Sequence, residues 1–174
     1  MLRKPSFLVL PTLVLQFFLA VLLLTGCAGG PPRAALVEHG FSPDGWADGW
    51  AEQVDLLEYR YGDQYRMTQR KVEPGQKTLG YGINIYGDVP RGDFLFVRWR
   101  IKASGEEVQE QVDLRQRMPA DIKGHRLTFV IDGKQLYVYL VTPKAKTKGY
   151  QDQRTYLSYS WVTYEIYPQS TYPR

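Results

Sequence analysis

Side chains able to do chemistry are few, and their spacing argues against catalysis. A nucleophilic triad would have to combine Ser158 or Ser160 with His125 and a distant carboxylate, and neither serine stands in a Gly-x-Ser-x-Gly elbow. Glu106, Glu107 and Glu110 could in principle act as paired carboxylates, but they flank a turn, where acids ordinarily serve solubility. Asp113 and Arg115 read as a surface salt link. Gly80-Tyr81-Gly82 has neither the spacing nor the strand-to-helix setting of a phosphate loop. His39 and His125 are the only histidines, and no His-Glu-x-x-His or cysteine-rich spacing is present. The expectation is a protein that is not an enzyme, with no catalytic residues, no metal and no cofactor. One reactive side chain is left, the single cysteine Cys27.

Cys27 closes a leader. Arg3 and Lys4 make the first residues positive, and Phe7 to Leu24 is an apolar run interrupted by Pro11, Thr12 and Gln16. Its length would fit a short membrane span. Pro11, which lacks an amide donor, and the small residues before the cysteine instead mark a secretory signal. Leu24-Thr25-Gly26-Cys27 resembles the lipobox of bacterial lipoproteins: Leu24 stands at the family's leucine, Thr25 and Gly26 at its small positions, and Cys27 at its acylated residue. The resemblance implies a signal peptide over residues 1–26, cleavage before Cys27, lipid attachment (thioether-linked diacylglycerol and an N-acyl chain such as palmitate) at Cys27, and a lipid bilayer as partner. Ala28 is not the aspartate that holds enterobacterial lipoproteins in the inner membrane, which implies the outer membrane, facing the periplasm.

The formal net charge is +4, and removing Arg3 and Lys4 leaves +2, a nearly balanced surface that argues against nucleic acid as partner. With Cys27 lipidated no disulfide is possible within the chain, so stability must come from one hydrophobic core. Residues 27–45 read as the lipidated cysteine and a flexible tether, because Ala28 to Arg33 is Gly/Pro-rich and His39 falls in an aperiodic stretch. Residues 46–174 read as a β-rich periplasmic domain. Trp46 and Trp50, four apart, fit one face of a short helical turn capping a β-core, or an aromatic contact surface.

From Val54 the pattern has period two. Val54 and Leu56 share one phase and Leu57, Tyr59 and Tyr61 the other, which predicts a bulge between Leu56 and Leu57. Strands follow at Tyr65 to Val72, ended by a turn at Glu73-Pro74-Gly75, and at Leu79 to Tyr86, broken by Gly87 to Gly92. Leu95, Val97, Trp99 and Ile101 alternate with Phe94, Phe96, Arg98, Arg100 and Lys102. A turn at Ser104-Gly105 then pairs Ile101 with Val108, Val97 with Val112 and Leu95 with Leu114, and leaves Glu110 discordant opposite Trp99. A second hairpin, with Asp132-Gly133 at its tip, pairs Phe129 with Leu136 and Leu127 with Val138 inward, and Arg126 with Tyr139 and Thr128 with Tyr137 outward. Arg115 to Gly124 reads as a polar connection with one helical turn at Met118 to Asp121, Pro143 to Arg154 as a lysine-bearing loop, and Tyr156 to Tyr167 as the last strand. The expected fold is all-β, a single-domain antiparallel β-sandwich or open barrel.

Two groups of aromatic and basic residues fall on faces that periodicity turns outward: Phe94, Phe96, Arg98 and Arg100, and Arg126, Tyr137 and Tyr139. Tyrosine, tryptophan and arginine are enriched at interface centres, so these seven are candidate partner-binding residues. The alternative is that a second sheet of the sandwich covers this face, which makes the aromatics core and leaves the arginines snorkelling at its rim. Phe96-Val97-Arg98-Trp99-Arg100 and Gln135-Leu136-Tyr137-Val138-Tyr139-Leu140, following a lipoprotein signal, are similar to segments of small periplasmic lipoproteins associated with type VI secretion effectors, some of them immunity proteins. That resemblance implies a stoichiometric inhibitor of a secreted toxic effector such as a phospholipase. A structural or assembly lipoprotein of the envelope or of a secretion machine is the competing reading, with a small-ligand carrier or enzyme behind it.

Overall fold

The computed structural model describes residues 35–43, 49–63, 70–71, 84–151 and 157–173. In chain order they form β1 (Leu36–Phe41), a single-turn helix α1 (Trp50–Gln53), β2 (Val54–Tyr61), β3 (Arg70–Lys71), β4 (Ile85–Pro90), β5 (Phe94–Ile101), β6 (Glu107–Asp113), β7 (Arg126–Asp132), β8 (Gln135–Ala145) and β9 (Trp161–Tyr167). The chain is all-β. Five strands in the order β4-β1-β7-β8-β9 make one sheet and four in the order β3-β2-β5-β6 the other. Two separate sheets on one shared core correspond to the sandwich alternative, not to a barrel. Every strand pairing is antiparallel except β1 with β7, where Gly40 meets Arg126 and Phe41 meets Leu127.

Large aromatics join the layers. Phe41 of β1 stacks on Tyr61 of β2 with ring centroids 5.4 Å apart, and Phe129 of β7 meets Tyr59 at 6.3 Å. Trp50, on α1, packs against Phe129 at 5.7 Å, so it is part of the core and not an exposed contact; Trp46 lies outside the described residues. Trp99 of β5 is 0 % exposed, and its indole Nε1–H donates to the Gly133 carbonyl at 2.9 Å across the sandwich. Such side chains remove large apolar areas from water, and Trp99 does so with its N–H bonded.

The bulge in β2 is where the phase switch places it: the register with β5 shifts between Leu56 and Glu58, and both Leu56 and Leu57 are buried. Both hairpins keep the expected faces but slip by two residues. In the first, Leu95 pairs with Val112, Val97 with Glu110 and Trp99 with Val108. The cause is a wider turn: Ile101 N–H bonds to the Glu106 carbonyl, and Gly105 adopts a left-handed φ of 73°. In the second, Asp132 pairs with Gln135, so the tip is Gly133-Lys134, with Gly133 at φ 57°. A slip of two leaves every side chain on its own face.

Four expectations need correction. The tether does not extend to residue 45, because Leu36–Phe41 is a strand inside the five-stranded sheet and His39 is a core residue. Gly87 does not end its strand, since β4 runs to Pro90 on the edge of the sheet, where Gly87 with φ 145° still pairs with His39. The connection after β6 is not simply polar: Leu114, Met118 and Ile122 are buried, and its helical turn starts at Leu114, whose carbonyl accepts from the Arg117 and Met118 amides. Strand β8 takes in Pro143 to Ala145, and β9 begins at Trp161, not at residue 156. The strand expected over 65–72 is described only at β3, and the turn at 73–75 and the strand residues 79–83 lie outside the described residues.

Candidate functional site: an arginine-aromatic sheet face and the cleft beside it

Alternation along β5 buries Leu95, Val97 and Trp99 and turns Phe94, Phe96, Arg98 and Arg100 to the outer face of the four-stranded sheet. Arg60, from β2, lies across the two phenylalanines, its guanidinium carbon 4.7 Å from the Phe96 ring centre and 5.7 Å from that of Phe94. A guanidinium over an aromatic face is attracted by the ring quadrupole and keeps its plane fixed. Arg100 donates to Glu107 at 2.6 Å, which holds that carboxyl below its ordinary range. Arg98 approaches Glu58 at 3.9 Å, and Arg60 approaches the same glutamate at 3.6 Å. Lys102 donates to the Ala51 and Glu52 carbonyls at 3.1 Å and lies 3.9 Å from Asp55. Half-exposed ion pairs of this kind add little stability. They do hold rings and guanidinium planes in place.

The structure does not unite the two predicted groups. Arg126, Tyr137 and Tyr139 belong to β7 and β8, on the outer face of the other sheet. Tyr139 is 2 % exposed and donates to Glu165 at 3.3 Å, and Arg126 donates to the Leu157 carbonyl at 2.7 Å. Thr128 and Val130 on this face are buried as well. The Leu157 carbonyl takes up the Arg126 guanidinium here, and Tyr137 is half-buried.

Beside the arginine-aromatic face, where β2 ends and β4 turns into β5, lies a cleft of about 410 Å³ lined by Tyr61, Gly62, Arg91, Asp93, Phe94 and Asp113, among others. Sequence periodicity does not reveal it, because its walls are strand ends and turns. Its shape depends on Gly92, where an added Cβ would lie 2.5 Å from the Tyr61 ring. Arg91 is committed to the fold: it donates to the carbonyls of Pro119 at 2.9 Å and Ala120 at 3.1 Å. Asp113 and Arg115 form the expected surface link at 2.5 Å, and the Arg115 hydrogen bonds hold the Asp113 carboxyl down at about 2. Among the described residues no three of His, Cys, Asp and Glu converge as a metal site would need.

Tyr61, which lines the cleft, also meets His39. His39 Nδ1 lies 2.8 Å from the Val37 carbonyl and Nε2 2.9 Å from the Tyr61 hydroxyl, so the neutral ring donates through Nδ1 and accepts the phenol proton through Nε2. Burial lowers the histidine and pushes the tyrosine up to about 12, so both stay uncharged at neutral pH. The pair links the sheets and supplies no base to the cleft. A depressed histidine gives stability that is complete above its ordinary 6.5 and is lost as pH falls toward the folded value. The urea midpoint is therefore expected to drop as pH falls below about 6.5, and His39→Gln to flatten that segment of the profile.

Glu110, the discordant residue, is opposite Val97 and accepts a hydrogen bond from the Tyr167 hydroxyl of β9. Burial raises its carboxyl, partly offset by a bond from the Leu136 backbone. This acid is a latch between the sheets. The Trp99 indole, expected opposite Glu110, donates to the Gly133 carbonyl.

No protein-family model, no curated protein and no solved structure matches this chain.

Proposed function

We propose that this is a lipid-anchored periplasmic protein that binds and neutralises a protein partner, in the manner of an immunity protein against a type VI secreted toxin, with the outer face of β2, β5 and β6 as its contact surface. The observation that supports this reading is Arg60 lying across Phe94 and Phe96, with Arg98 and Arg100 held beside it by Glu58 and Glu107. Aromatic and arginine anchors that are already ordered lose little rotamer freedom on binding, and they are the residue types that dominate interface energetics. The anchor is the Cys27 lipid implied by Leu24-Thr25-Gly26-Cys27.

The test is competition against sister cells. Cells lacking the protein are expected to be killed by one secreted effector, and wild-type chain but not Arg98→Glu/Arg100→Glu is expected to restore survival. Purified variant should remain folded, with a stability loss of about 1 kcal/mol from the two half-exposed ion pairs, while affinity for the effector falls at least about tenfold. Normal survival of the deletion strain would count decisively against inhibition.

A further inference from the structure

Leu36, Tyr86, Tyr150, Tyr159 and Trp161 are the large apolar side chains that the described residues leave exposed, and all but Tyr86 lie at one end of the five-stranded sheet. The register fixes that end. Gly40 of β1 is level with Arg126 of β7, and Arg126 with Val141 of β8; four residues on, Ala145 pairs with Trp161 of β9, and four residues back along β1 stands Leu36. Tyr150 follows β8 in a turn closed by its amide on the Thr147 carbonyl, and Tyr159 precedes β9. The Lys146 amide bonds to the Ser160 carbonyl at 2.8 Å and its ammonium to the Ser158 carbonyl at 2.6 Å, binding the two segments into one corner.

Among the described residues the corner has one sign of charge. Residues 143–151 and 157–163 carry Lys144, Lys146 and Lys148 and no acid. Carboxylates of the same end, Asp63, Asp93 and Asp113, gather at the cleft on the β4 side. Tyr159 is 80 % and Trp161 45 % exposed, an expensive arrangement for rings facing only water. Tyrosine and tryptophan above lysines are the residue types that settle at a bilayer's headgroup level.

We propose that this β8–β9 corner faces the membrane, with Tyr150, Tyr159 and Trp161 in the interfacial layer and Lys144 and Lys148 on the phosphates of anionic lipids. The inference rests on the lipid anchor at Cys27. Eight residues, 28 to 35, separate that cysteine from β1, a leash of at most about 29 Å, and it enters the domain at Leu36, on the end that carries the corner. A bilayer is favoured over a protein partner because the leash already holds this end close to lipid, and each lysine near an anionic surface strengthens adsorption about fivefold.

The test uses the acylated full chain in vesicles of phosphatidylglycerol and phosphatidylcholine. Ser160→Cys, in the corner, and Lys134→Cys, at the opposite hairpin tip, each receive a polarity-sensitive fluorophore, and brominated lipids serve as quencher. The probe at position 160 is expected to be quenched severalfold more than that at 134, and to lose the difference with Lys144→Glu/Lys148→Glu or without phosphatidylglycerol. Equal quenching at both positions overturns the proposal, as does a probe at 160 shielded only when envelope proteins are added, which would make the corner a protein contact. The parental chain is the internal control. If Cys27 takes the fluorophore, the lipid-anchor reading fails and the orientation with it; if Cys27 is blocked and position 160 stays in water, only the orientation fails.

Discussion

Trp99→Ala is expected to lower the stability of the domain by about 3–5 kcal/mol, seen as a fall in urea midpoint with little change in slope. Three observations set the size. The indole is fully buried in the middle of β5, it sits among residues of both sheets, and its N–H satisfies the Gly133 carbonyl at the tip of the β7–β8 hairpin. Alanine would open a cavity in a packed core and leave that carbonyl without its donor, two costs that add. Trp99→Phe separates them: much of the apolar volume stays, the hydrogen bond goes, and the loss should be closer to about 1–2 kcal/mol. Tyr86→Ala, on an exposed ring, serves as the control and should stay within about 0.5 kcal/mol. A Trp99→Ala chain as stable as wild type would mean that the two sheets do not share this core.

Cys27→Ser should have the most complete effect, an all-or-none loss of palmitate labelling, with the uncleaved leader of residues 1–26 still on the chain. Serine offers an oxygen where thioether formation needs sulfur, so no diacylglycerol can be attached and cleavage before residue 27 is blocked. A single acyl chain gives marginal membrane binding, whereas two or three, at about 0.8 kcal/mol per buried methylene, hold firmly. Labelling that survives the substitution would remove the anchor from the account, and with it the periplasmic setting of the proposed inhibitor.

Which parts of the fold were legible follows from what periodicity encodes. The bulge at Leu57 could be read because it reverses which residues are apolar. The two hairpins could be read as to face but not as to partner. A shift of two preserves every inward and outward assignment, and the choice is made in the turns, by Gly105 and Gly133 at positive φ. Strand β1 was missed because it is short and its apolar phase, Val37, His39 and Phe41, includes a histidine whose polarity is cancelled by Tyr61, distant in sequence. The arginine-aromatic face was legible residue by residue on β5, but Arg60 was not, since cross-strand stacking depends on register. Tyr139 and Arg126 were assigned outward by alternation, which cannot see that Tyr139 is buried with its hydroxyl on Glu165 or that the Arg126 guanidinium is bonded to the Leu157 carbonyl.

The parallel pairing of β1 with β7 also sets an order of assembly. Gly40 and Arg126 are 86 positions apart in the chain, and Leu36 must find Pro90, 54 positions away, whereas β5–β6 and β7–β8 close through short turns. Loop closure makes distant pairings slow and local ones fast. Strand β1, first in the chain, therefore gains its second neighbour only when β7 is made, and until then the third position of the five-stranded sheet is empty. A chain threaded through a membrane amino end first thus emerges with its core still open, which postpones final folding until nearly the whole domain has crossed.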